Sequence, residues 1–67
     1  MLTIAKNHDE EIRIGTTTYK GHDFIDVRVY YCHHDGDWRP GKKGLMLRPE
    51  LWLQIVDAVQ VIASTGE

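Results

Sequence analysis

Cysteine is nearly missing from this 67-residue chain: Cys32 stands alone, so an intrachain disulfide is excluded and a reduced, cytoplasmic setting is expected. No run approaches the roughly 18 consecutive apolar residues of a membrane span, and the N-terminus has no charged-then-apolar leader. A soluble protein with no membrane partner is therefore expected. Nor is there a surplus of positive charge, because ten acids face eight lysines and arginines. That balance excludes gripping nucleic acid through bulk charge and leaves only local patches for the task. The chain is also short. Apolar burial at this length barely offsets the ordering entropy of about 1.5 kcal/mol per residue, so a second copy of the chain is the leading source of extra stability.

What is present alternates. Leu2-Thr-Ile-Ala5 reads as a short edge strand (2–5), followed by a polar connection from Lys6 to Glu10. Residues 11–19 carry Ile12, Ile14 and three threonines, a β-branched strand, and Lys20-Gly-His-Asp23 reads as a turn. Residues 23–32 form the clearest strand, with Ile25, Val27, Val29 and Tyr31 on one side and Asp26 and Arg28 on the other. Asp35-Gly36 supplies hairpin chemistry, and 37–47 returns as a partner strand whose Pro40 and Gly41 suit an edge or a bulge. Pro49 fits the first position of a helix over 49–63, Glu50 suits the helix dipole, and Arg48 is a poor cap. Leu51, Trp52, Ile55, Val56, Val59, Ile62 and Ala63 form its apolar stripe, extended by Leu53 and Val61. The expected fold is α+β: a curved antiparallel four-stranded sheet followed by one C-terminal helix, in a single domain over 1–67.

Charge is uneven along this order. Asp9, Glu10, Glu11, Glu50 and Asp57 fall in the N-terminal connection or on the helix, whereas Lys20, Arg28, Arg39, Lys42 and Lys43 fall in the central segment. The stretch Arg39-Pro-Gly-Lys-Lys-Gly44 places two lysines between glycines, where backbone can come close to a polyanion. Gly36 to Lys43 approximates a phosphate-binding loop, but the final Ser/Thr is missing and a strand, not a helix, follows. Cys32, His33, His34, Asp35 and Asp37 are all metal-ligand types, yet adjacent residues on an extended strand point apart and no spaced partner pair exists, so they read as polar hairpin residues. His8 and His22 read as exposed. No nucleophile, base and orienting group can be placed together, so neither an enzyme, a small-molecule substrate nor a cofactor is expected.

Three blocks together carry a resemblance: Tyr19-Lys-Gly-His-Asp-Phe-Ile-Asp-Val-Arg-Val-Tyr-Tyr31, Asp35-Gly-Asp-Trp-Arg-Pro-Gly-Lys-Lys-Gly44 and Leu45-Met-Leu-Arg-Pro-Glu-Leu-Trp52. They resemble the transcriptional positive cofactor four family of single-stranded-DNA-binding coactivators. The resemblance implies a homodimer paired through its helices, with Trp52, Ile55, Val56, Val59 and Ile62 at the interface. It also implies DNA-contacting roles for Tyr19, Lys20, Arg28, Tyr31, Arg39, Lys42 and Lys43, and Arg13, His22 and Trp38 form a second tier of candidates. Aromatic faces accept any base and lysines neutralise phosphates without reading sequence.

The chain departs from the family at His22, Tyr31 and Arg48, where a lysine, a tryptophan and a capping Asn are usual, and Asp23 adds a negative charge beside His22. Each role has a plainer counterpart. Tyr19 and Tyr31 are also suited to a core or rim, Arg28 to a pair with Asp26, and the lysines to a solvated turn; Trp38 stays undecided. Three functions stand side by side: a homodimer binding single-stranded or melted DNA, in contact with the transcription machinery or in replication or repair; a protein-interaction module; and a single-stranded RNA binder.

Overall fold

Alternation in the central strands resolves into one antiparallel sheet. The computed structural model describes residues 1–66, with β1 (Leu2–Ala5), β2 (Glu10–Tyr19), β3 (His22–Cys32), β4 (Trp38–Leu47) and α1 (Pro49–Thr65) in chain order and sheet order β1-β2-β3-β4. Residues opposed across a ladder share a face. Ile12 lies opposite Val29, Ile14 opposite Val27, and Leu45 and Leu47 opposite Val27 and Ile25, so one face is apolar. The helix lies on that face. The other carries Arg13, Arg28, Tyr30, Tyr19 and Trp38, and remains open.

The turns are tighter than their composition suggests. Lys20 and Gly21 both take positive φ (52° and 77°), a two-residue hairpin whose twist matches the strands it joins. His22 and Asp23, expected in the turn, are instead paired with Tyr19 and Thr18. The polar connection before β2 closes on itself, with the Lys6 and Asn7 amides donating to the Glu10 carbonyl at 3.1 Å. Between β3 and β4, Gly36 at φ 87° and the Asp35 carboxylate, which accepts the Asp37 amide at 3.0 Å, turn the chain.

The ladder between β3 and β4 is broken once. Arg28 pairs with Gly44 and Tyr30 with Pro40, so Val29 alone faces Gly41, Lys42 and Lys43. Such a bulge throws the extra residues out of the sheet. Glycine is required where β4 leaves and rejoins: a Cβ on Gly41 would sit 2.9 Å from the Val29 carbonyl oxygen, and one on Gly44 2.8 Å from that of Val27.

Pro49 opens the helix, Arg48 contributes no side-chain cap, and Gly66 in the left-handed region closes it by donating its amide to Ile62 at 2.9 Å. The helix thus extends past residue 63, through Ser64 and Thr65. Its tie to the sheet is Trp52, whose Nε1 donates to the Ile25 carbonyl at 2.7 Å. Trp52 and Ile55 are half-buried, but Leu53, Val56, Val59, Val61 and Ile62 are 47–68% exposed, and no described residue is fully buried. The radius of gyration is 14.0 Å, against about 11 Å for a compact domain of this length. The protomer is a flat sheet with one helix standing partly clear of it.

Candidate nucleic-acid interface

Two of the candidate groups are drawn together by the bulge. Tyr31 lies on the helix face of the sheet, in a hollow that no helix residue lines, opposite Glu10 on β2 and opposite Arg39 on β4. Carboxylate, phenol ring and guanidinium thus stand in one row across three strands. The Tyr31 ring rests on the bulge backbone, where a Cβ on Gly41 would meet it at 3.3 Å, and the His33 ring lies 5.1 Å away. Glu10, Val29, Tyr31, Gly41, Lys42 and Lys43 line an open hollow of about 310 Å³. Its floor is apolar and its rim charged.

The strong bases differ in how they are held. Arg13 pairs with Glu11 at 2.8 Å and stacks its guanidinium 4.2 Å over the Tyr30 ring. Arg28 pairs with Asp26 at 3.3 Å and donates from Nη1 to the Gly41 carbonyl at 3.1 Å, which braces the bulge from the opposite face. Both are mostly buried along their stems, as their 23% and 27% exposure shows. Arg39 bonds Asp35 at 3.1 Å at the exposed rim. Lys20, Lys42 and Lys43 have no ion-pair partner among the described residues, and Lys20 lies 5.4 Å over the Tyr19 ring.

Not all candidates converge. Tyr19 and Lys20 sit nine residues along the ladder from Tyr31, about 30 Å away at ~3.4 Å per residue, with Tyr19 on the open face. Because β3 pairs with β2 without interruption, Arg28 and Tyr31 stay on opposite faces; the bulge lies in β4 and does not reorient them. Trp38, opposite Cys32, is on the open face, and His22 lies at the far turn with its Nδ1 3.4 Å from Arg48. No cluster of three or more His, Cys, Asp or Glu suited to a metal occurs among the described residues.

Glu10 is the residue that composition hid. Counted among the N-terminal acids, it lies in space beside the basic bulge, with Lys43 adding to its field. The Asn7 amide at 2.8 Å, then the Lys6 ammonium at 3.3 Å, hold its carboxyl below the usual carboxylate range. Charge that is segregated along the chain is therefore mixed at the site.

The comparisons agree on one family. Residues 6–58 match the family described as transcriptional coactivator p15 (PC4). A crystal structure of a PC4 homologue from Burkholderia pseudomallei, tetragonal form, superposes with a TM-score of 0.84 at 30% identity, covering 94% of this chain and 93% of that one. The orthorhombic form gives the same score and identity over 85% of its chain. A bacteriophage T5 homologue of the eukaryotic coactivator PC4, implicated in recombination-dependent DNA replication, shares the fold at 18% identity and TM-score 0.72, over 97% of this chain and 77% of that one.

Proposed function

This chain belongs to the transcriptional coactivator p15 (PC4) family, a family of DNA-binding regulators, and on that premise we propose that it binds single-stranded or melted DNA as a homodimer and does no chemistry. The role is that of a coactivator-like regulator acting with the transcription machinery, or a part in replication or repair. One observation carries the reading: Lys42 and Lys43, unpaired among the described residues, are lifted by the bulge beside an aromatic ring on an apolar floor. Phosphates meet the ammonium groups while a base stacks on Tyr31, at roughly 1–3 kcal/mol per stacked base. Arg39 joins them by exchanging Asp35 for a phosphate, since an exposed pair of this kind is worth only ~0–1 kcal/mol. Lys20 and Tyr19 form a second patch that a longer strand reaches. Arg13 and Arg28, neutralised and braced, serve the sheet.

The second chain is argued from what the protomer leaves uncovered. Ile14, Ile25, Val27, Pro49, Trp52, Leu53 and Val56 line an apolar hollow of about 470 Å³, and Val59 and Ile62 on the same helix are exposed. Each large apolar side chain fully buried contributes roughly 1.5–3 kcal/mol. A partner helix supplies that burial.

Salt titration of labelled oligothymidine and duplex DNA, with sedimentation on the same samples, tests both parts. Lys43→Ala should weaken single-strand binding alike for all sequences and lower the slope of log affinity against log salt by about 0.7, the share of one phosphate contact. Affinity indifferent to salt, or a folded monomer at micromolar concentration that ignores oligothymidine, would overturn the reading.

A further inference from the structure

We propose that Glu10 reads the edge of the base seated on Tyr31, giving an otherwise sequence-tolerant footprint a preference for guanine at one position. The inference rests on the strand-binding reading above. Three observations carry it. First, Glu10 and Arg39 flank Tyr31 on neighbouring strands and the same face, with Glu10 directly opposed to it. Opposed residues have Cβ atoms about 4.5–5.5 Å apart, so a base lying on the ring brings its edge within reach of the carboxylate. Second, the cations nearest Tyr31 come from β4: Lys42 and Lys43 line the hollow, and Arg39 is paired with Tyr31 across the ladder. Phosphates drawn to that strand turn the base edge the other way, toward β2 and Glu10. Third, the carboxylate is positioned and has acceptor capacity to spare. Both of its side-chain bonds, from Asn7 and Lys6, end on Oε1, and Oε2 has no donor among the described residues.

An ionised carboxylate only accepts hydrogen bonds. Guanine offers it two adjacent donors, N1–H and the 2-amino group: one meets the free Oε2, and the other meets Oε1 as the exposed Lys6 ammonium gives up its long 3.3 Å bond. Adenine and cytosine each offer one amino group beside an acceptor nitrogen. Thymine offers a single N3–H between two carbonyl oxygens that repel the carboxylate. Guanine is therefore ranked first and thymine last.

The test uses the full chain and three oligothymidines, identical except at one central position that holds deoxyguanosine, deoxyinosine or thymidine. Inosine lacks only the 2-amino group. The guanine strand should bind about fivefold tighter than the all-thymine strand, the low end of what a well-placed base contact discriminates, with inosine between them. Glu10→Ala should bring the three affinities together, and Glu10→Gln, which keeps an acceptor oxygen for Asn7 and so protects the turn, should do the same, because its amide N–H groups then face the guanine donors. Equal wild-type affinities, with both variants tightening all three strands alike, would show that Glu10 merely repels phosphate and would overturn the proposal while leaving strand binding intact. Failure of the wild type to bind any of the three would remove the strand-binding reading and this inference with it.

Discussion

The two ends of this sheet are built from the same antiparallel ladder and behave as different materials. At one end, β2 and β3 join through two residues and the helix is pinned across the face by the Trp52 bond to Ile25. At the other, β4 spends three residues against Val29, the helix does not reach, and the face shows a ring, a carboxylate and cations. A mismatch in strand length converts an edge into a platform. In the proposed function the apolar end takes a second chain and the bulged end a polyanion, and each property can be broken without touching the other.

The largest effect is expected at the helix. Val59 and Ile62 are 56% and 49% exposed in the protomer, so aspartate at both would change the stability of an isolated chain by roughly 0.5 kcal/mol per site. Buried against a second chain, the same charges are far more costly, since an unpaired ion taken out of water loses several kcal/mol. Val59→Asp combined with Ile62→Asp should abolish the dimer in sedimentation and remove cooperative melting. A variant that melts like the wild type would leave the helix as a mere cover for its own sheet.

Next in size is the bulge itself. The Cβ introduced by Gly44→Val would press on the Val27 carbonyl at 2.8 Å and on Arg28 Cα at 3.0 Å, both of them backbone that cannot swing aside. Overpacking of this kind costs about 1–3 kcal/mol. The melting midpoint should fall by several degrees and strand binding should weaken further than stability alone accounts for, because the lysines lose their perch. An unchanged midpoint would mean that β4 rejoins β3 without needing glycine.

Much of this division is legible in the chain, and what is hidden has one cause. β-branched alternation, the Pro40-Gly41 interruption and the Pro49 start are local signals, and they locate four strands, an irregular β4 and the helix. Register is not local. Every β2–β3 pair sums to 41, from Tyr19 with His22 to Glu10 with Tyr31, because the turn is only Lys20-Gly21. Reading that turn through Asp23 lets the register drift and leaves Glu10 in a featureless connection. The lesson extends to Arg28 and Tyr31. Parity alone puts them on opposite faces, family resemblance alone puts them on one ligand, and the bulge that would reconcile the two turns out to lie in the neighbouring strand, where it moves lysines and not Arg28.

The smallest effect separates the two tyrosines offered as stacking platforms. Tyr31, 41% exposed, lies against the Gly41 backbone and the His33 ring in the charged hollow, whereas Tyr19, 55% exposed at the far turn, has only Lys20 over it. A ring already fixed loses less freedom when a base settles on it. Tyr31→Ala should therefore weaken binding of a short oligothymidine by about tenfold, within the roughly 1–3 kcal/mol of a stacked base, while Tyr19→Ala leaves that strand nearly unaffected. With strands long enough to cover the ~30 Å between the patches, the Tyr19 variant should begin to lose affinity too. Equal losses on the short strand would place the two rings in one channel, completed across the dimer, and would erase the difference between the ends that the protomer displays.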